Sequence, residues 1–108
     1  MEKEGKETLN PTLWRTCRIL GNRTRLQLFN TILSNPGLSV LEIAGRLNRE
    51  PPVISKYLRD LNARGLLAVT RKGAKVYYRI AADPSVPQAR ALVAALTAVF
   101  QRDRSPID

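Results

Sequence analysis

The 108-residue sequence predicts a mainly α-helical chain with one small β-hairpin, an α+β arrangement of five helices and two strands. Three observations predict it. Apolar residues recur every three to four positions through five separate segments, the period drops to two only between residues 67 and 80, and Gly, Pro or Asn punctuates the segments. Apolar residues make up 44% of the chain and charged residues 25%, an ordinary globular balance for which wholesale disorder is not expected. The length suits a single domain.

Residues 1–10 are polar, with Gly5 and no apolar side chain between Met1 and Leu9, and are expected to form a flexible tail. The domain is expected over residues 11–103, with a second short tail over 104–108. A first helix is predicted from near Thr12 to Gly21, with Leu13, Trp14, Cys17 and Leu20 as its apolar stripe and Cys17 behaving as a small buried hydrophobe. Asn22 is placed to cap a second helix carrying Leu26, Phe29, Ile32 and Leu33, which Asn35-Pro36-Gly37 stops. Ser39 is placed to cap a third, whose buried side is read as Leu41, Ile43, Ala44 and Leu47.

After the break Asn48-Arg49-Glu50, the pair Pro51-Pro52 opens a fourth helix with Ile54, Leu58 and Leu61 inward, ending at Gly65. Pro51 precedes a proline and is biased out of helical geometry, so a late helix start is expected. Residues 67–70 and 76–80 alternate around Arg71-Lys72-Gly73-Ala74-Lys75, a hairpin with a basic tip and Gly73 in its turn. From Gln88 to Gln101 a fifth helix is apolar around its circumference, which predicts burial against both its own domain and a second subunit.

Charge points to a partner. Eighteen Lys and Arg against nine Asp and Glu leave +9, a field that attracts polyanions. Nine of those cations lie between Arg46 and Arg79, where only Glu50 and Asp60 oppose them. A short helix, a three-residue turn, a second helix and a basic hairpin, in that order, are the parts of a winged helix-turn-helix. In such a fold one helix holds its successor in the major groove and the wing reaches neighbouring phosphates. The expected partner is therefore double-stranded DNA.

The stretches Leu20-Gly-Asn-Arg-Thr-Arg-Leu, Ile54-Ser-Lys-Tyr-Leu-Arg-Asp-Leu-Asn-Ala-Arg-Gly-Leu-Leu and Arg71-Lys-Gly-Ala-Lys-Val-Tyr-Tyr-Arg-Ile resemble those of the ArsR-type repressors, with Ser55, Leu58, Gly65 and Tyr78 on the family pattern. The resemblance spans about residues 12–102. It implies a homodimeric, sequence-specific regulator of transcription, repressor-like, with its first and last helices forming the dimer. The DNA-binding residues expected are Arg49, Val53, Ser55, Lys56 and Arg59 around the fourth helix, with Arg71, Lys72 and Lys75 on the wing. The dimer interface is expected at Leu13, Trp14, Cys17, Leu92, Leu96, Val99 and Phe100.

Where that family has small polar residues at the start of the reading helix, this chain has Glu50, Pro51, Pro52 and Val53. Two prolines remove backbone donors, so fewer hydrogen bonds to bases are expected, with Val53 offering an apolar contact instead. The alternative reading is a protein–protein interaction module that has lost base-specific DNA reading.

Other classes find no support. Family members that sense metals use Cys pairs on the third helix or His and carboxylates on the last; here Val40-Leu-Glu-Ile-Ala-Gly-Arg-Leu holds no Cys and the chain has no His, so neither metal nor cofactor is expected. Catalysis is not expected either, without His, a Gly-rich phosphate loop or a nucleophile elbow. No apolar run suits a membrane span or a signal peptide, and a lone Cys17 precludes an intrachain disulfide, so a cytoplasmic protein without a membrane partner is expected.

Overall fold

The computed structural model describes residues 11–104. The predicted tail over residues 1–10 and all but the first residue of the one over 104–108 lie outside the described residues. Five helices and two strands follow in the order α1 (Pro11–Leu20), α2 (Arg23–Ser34), α3 (Val40–Leu47), α4 (Pro51–Ala63), β1 (Leu67–Lys72), β2 (Lys75–Ile80) and α5 (Ala89–Arg104). The core is one cluster in which Leu28, Phe29, Ile43, Ile54, Leu58, Leu61 and Leu66 are fully enclosed.

The helix caps follow from side-chain chemistry. The Asn22 side chain accepts from the Arg25 amide at 3.0 Å, and Ser39 accepts from the Glu42 amide at 3.2 Å. Glu42 returns the contact, accepting from the Ser39 amide at 2.7 Å, which completes a capping box over the first turn of α3. The Ser39 amide, and less strongly the Ser39 hydroxyl, hold the Glu42 carboxyl below its ordinary range. At the far end of α3, Asn48 takes the left-handed conformation at φ 56° and turns the chain toward α4.

The late start expected for α4 does not occur: the helix begins at Pro51, with an extended Glu50 before it. At the first two helical positions the missing proline N–H groups have no intrahelical acceptor to lose, and the ring sets a helix-compatible φ. The other end of α4 closes in a Schellman arrangement. The Gly65 amide donates to the Asn62 carbonyl at 3.0 Å and the Leu66 amide to that of Leu61 at 3.2 Å, with Gly65 at φ +78°.

β1 and β2 pair antiparallel in the register Leu67↔Ile80 through Lys72↔Lys75, leaving only Gly73 and Ala74 between the strands. The turn is tighter than the five-residue tip expected, because Gly73 at φ +61° can occupy the first central position of a two-residue turn. One further bridge joins Ser39 to Tyr77, fastening the start of α3 to the hairpin. α5 returns across the domain through Leu92, Val93, Leu96 and Phe100, and the Phe100 ring lies 6.1 Å from that of Phe29 on α2.

Two residues expected inside are outside. Cys17 is exposed, because α1 buries Thr16 and Leu20 and thereby turns the Trp14–Cys17 side outward. Leu41 is 66% exposed, because Val40, Ile43, Ala44 and Leu47 form the inward side of α3 and Leu41 lies off that stripe.

Candidate nucleic-acid interface

α4 fixes the geometry of the surface. Ile54, Leu58 and Leu61 are enclosed in the core, so Pro52, Val53, Lys56 and Arg59 must project outward, with Ser55 half-buried beside them. The helix is fastened from behind. Arg25 on α2 donates to the Asp60 carboxylate at 2.7 Å and to the Ile19 carbonyl at 3.4 Å, and its guanidinium lies 4.9 Å from the centre of the Tyr57 ring. One side chain thus ties α1, α2 and α4 together and sets the rotation of α4 about its axis.

The outward groups are partly pre-arranged. Arg59 donates to the Ser55 hydroxyl at 3.0 Å, which draws the guanidinium back along the helix. The Lys56 ammonium stands 3.8 Å from Asp60, a loose i,i+4 pair on an exposed surface. Arg49 is exposed in the turn before α4.

The wing tip meets the start of α4. A cleft of about 320 Å³ lies between them, its walls including Leu41 of α3, Pro51, Pro52 and Ser55 of α4, and Ala74 and Lys75 of the wing. Lys72 and Lys75 are cross-strand partners and so share one face of the hairpin, whereas Arg71 pairs with Val76 on the other. Lys72 leans over the Tyr77 ring at 5.8 Å, a contact that draws its ammonium back from the tip along the hairpin.

Of the eight residues expected to meet DNA, the structure gathers Val53, Ser55, Lys56 and Arg59 on the outer side of α4 and places Lys75 across the cleft. Arg49 sits in the turn leading into α4, Lys72 beside Lys75, and Arg71 apart from both. Sequence reading missed Asp60 as the anchor and Leu41 as a cleft wall. The Lys56–Asp60 spacing was legible, but the partnership with Arg25, 35 residues away, was not. The expected dimer residues divide: Trp14, Cys17 and Val99 are exposed, Leu13 is half-buried, and Leu92, Leu96 and Phe100 are half-buried against their own core. Among the described residues no three His, Cys, Asp or Glu stand close enough to hold a metal ion.

Fold and surface together define a winged helix-turn-helix protein, and the sequence profile of winged helix-turn-helix DNA-binding domains matches residues 22–68, from the α2 cap into β1. The chain is 36% identical over 83 residues to the arsenic resistance transcriptional regulator ArsR1 of Pseudomonas putida, covering 77% of this chain and 62% of that protein. A crystal structure of a possible transcriptional regulatory protein (fragment 1-100) from Mycobacterium bovis is 30% identical with a TM-score of 0.66, covering 91% of this chain and 96% of that one. A solution structure of a homodimeric winged helix-turn-helix DNA-binding domain from the same organism, from a possible ArsR-family transcriptional regulator, is 28% identical with a TM-score of 0.65, covering 85% of this chain and 77% of that one. The transcriptional repressor BigR of Xylella fastidiosa has a TM-score of 0.69 at 23% identity, covering 98% of this chain and 100% of that one, a likeness of fold.

The chain belongs to the ArsR-type regulators, a family of transcriptional regulators and not of enzymes. It spans 62% and 57% of the length of the two curated relatives it matches.

Proposed function

We propose that the protein is a homodimeric regulator of transcription, repressor-like, that binds double-stranded DNA sequence-specifically with two copies of α4 in successive major grooves about 34 Å apart. The observation that carries this reading is the meeting of the start of α4 and the wing tip at one cleft, lined by Pro51, Pro52, Ser55 and Lys75, with Lys56 and Arg59 exposed on α4 and Lys72 paired with Lys75 on the wing. Phosphates are met by the lysines as point charges, while Arg59 can fork onto a guanine edge once it leaves Ser55.

Pairing is assigned to the outer faces of the first and last helices. Trp14 and Cys17 project from α1, and Ala91, Ala95, Ala98, Val99 and Arg102 fall on one exposed face of α5 at helical spacing. The Mycobacterium bovis relative, described as a homodimeric DNA-binding domain, supports the pairing. Residues 11–103 act as the one DNA-binding unit in this reading. Metal response through the family's usual ligand sets is not proposed, since such sites gather several thiolates or imidazoles and this sequence holds one Cys and no His. No helix among the described residues is long and apolar enough to cross a membrane, in keeping with a cytoplasmic site of action.

A salt titration of duplex binding tests the proposal. If each protomer neutralises four phosphates, log affinity falls against log salt with a slope of about −7, and the double variant Lys72→Ala/Lys75→Ala makes it shallower by about 4 for all sequences alike. An affinity indifferent to salt, or no duplex binding at low salt, overturns it. Recovery of one stoichiometric protein partner in place of DNA would transfer the fold to the interaction-module reading.

A further inference from the structure

Resting on the DNA-binding reading, we propose that Val53 is a specificity-determining residue that reads thymine by packing against its 5-methyl group in the major groove. The argument begins with what the first turn of α4 cannot do. Pro51 and Pro52 carry no N–H. The next two amides, of Val53 and Ile54, donate to the Glu50 carbonyl at 3.0 and 3.2 Å. No backbone donor in that turn is therefore left for a phosphate or a base acceptor, although a helix start is where such donors usually stand.

What the turn offers is apolar surface. Val53 is 40% exposed, Pro52 is exposed beside it, and Leu41, 66% exposed, stands at the neighbouring cleft. Val53 shares its side of α4 with Lys56, three residues on, Pro52 shares its side with Ser55 and Arg59, and Lys75 stands across the cleft that Pro52 and Ser55 line. Exposed apolar surface on the same helix as the exposed cations Lys56 and Arg59 fits a polyanion with an apolar group on its edge. Among the base edges of the major groove only thymine presents one, its 5-methyl. The first residues of a reading helix are those that reach base edges, so Val53 occupies the position where that group is met. A β-branched side chain on a helix is nearly fixed in rotamer, so the contact forms with little ordering.

The test replaces thymidine by deoxyuridine, which removes the methyl and keeps every hydrogen-bonding group. A duplex bound by the full chain is first obtained by selection from a random library, and each thymidine of a half-site is then replaced singly. At one or two positions deoxyuridine is expected to weaken binding about fourfold, the effect of one buried methyl. The same replacement should have no effect on Val53→Ala, whose fold is checked by circular dichroism. Steep, salt-dependent duplex binding with no response to deoxyuridine at any position overturns the role of Val53 and leaves the DNA-binding reading intact. A response that persists undiminished in Val53→Ala overturns it equally. No duplex binding at any salt overturns both.

Discussion

Gly65→Ala isolates how strongly the end of the reading helix is locked to the chain that leads into α5. A Cβ built at Gly65 would lie 2.7 Å from Val86 Cγ2 and 3.0 Å from both Val86 Cβ and Asp83 Cβ. Rotating the valine relieves the first contact and not the second, so residues 83–86 must withdraw. Withdrawal stretches the bond from the Asp83 amide to the Gly65 carbonyl, 2.8 Å long, which contributes about 1 kcal/mol. Left-handed backbone at φ +78° adds about 1–2 kcal/mol for any residue with a Cβ. With overpacking of about 1 kcal/mol at the lower end of the usual range, the variant is expected to lose about 3 kcal/mol.

For a chain of this size that is a fall in Tm of roughly 12–24 °C. Urea unfolding followed by circular dichroism, at fixed protein concentration because the proposed pairing would stabilise the fold, reads the difference. Gly45→Ala is the control: nothing lies within 4 Å of its added Cβ and its backbone is helical, so it should gain about 0.5–1 kcal/mol. A loss below about 1 kcal/mol in Gly65→Ala would refute the reasoning, since backbone strain alone accounts for that much.

Two further outcomes concern the caps and anchors of the reading surface. Asp60→Ala strands the Arg25 guanidinium, whose side chain is 15% exposed, and should lower stability by about 2 kcal/mol; a double-mutant cycle with Arg25→Met should return a coupling above about 1 kcal/mol, and additivity would deny the anchor. Glu42→Gln tests the capping box by pH. Because the Glu42 carboxyl is held below its ordinary value of 4.5, its charge contributes stability that is present above that value and lost as pH falls through the lower folded-state value. Urea midpoints of wild type and Glu42→Gln should differ at pH 7 and converge at the acid end; a constant difference across the range would count against the carboxylate's role.

The cap at Asn22, the cap at Ser39 and the glycine stop at Gly65 were legible in sequence because each depends on atoms within about six residues, where side-chain chemistry and backbone sterics act without help from the rest of the chain. The inward residues of α4 were legible for a related reason: a 3.6-residue period leaves one apolar stripe, and Ile54, Leu58 and Leu61 are that stripe. Charge and its concentration between Arg46 and Arg79 named the class of partner without coordinates.

Only the tertiary structure decided which side of a short or ambiguous helix faces inward. α1 offers two partly apolar sides, and packing against its neighbours chose Thr16 and Leu20 over Cys17; the eight residues of α3 are too few for periodicity to settle the place of Leu41. The Arg25–Asp60 bond across 35 residues and the meeting of Lys75 with Pro51 and Pro52 belong to the same class. Local chemistry fixes where elements begin and end, but the faces they present are chosen by a global competition for burial, and the outer side of α4 with the wing is what that competition leaves outside.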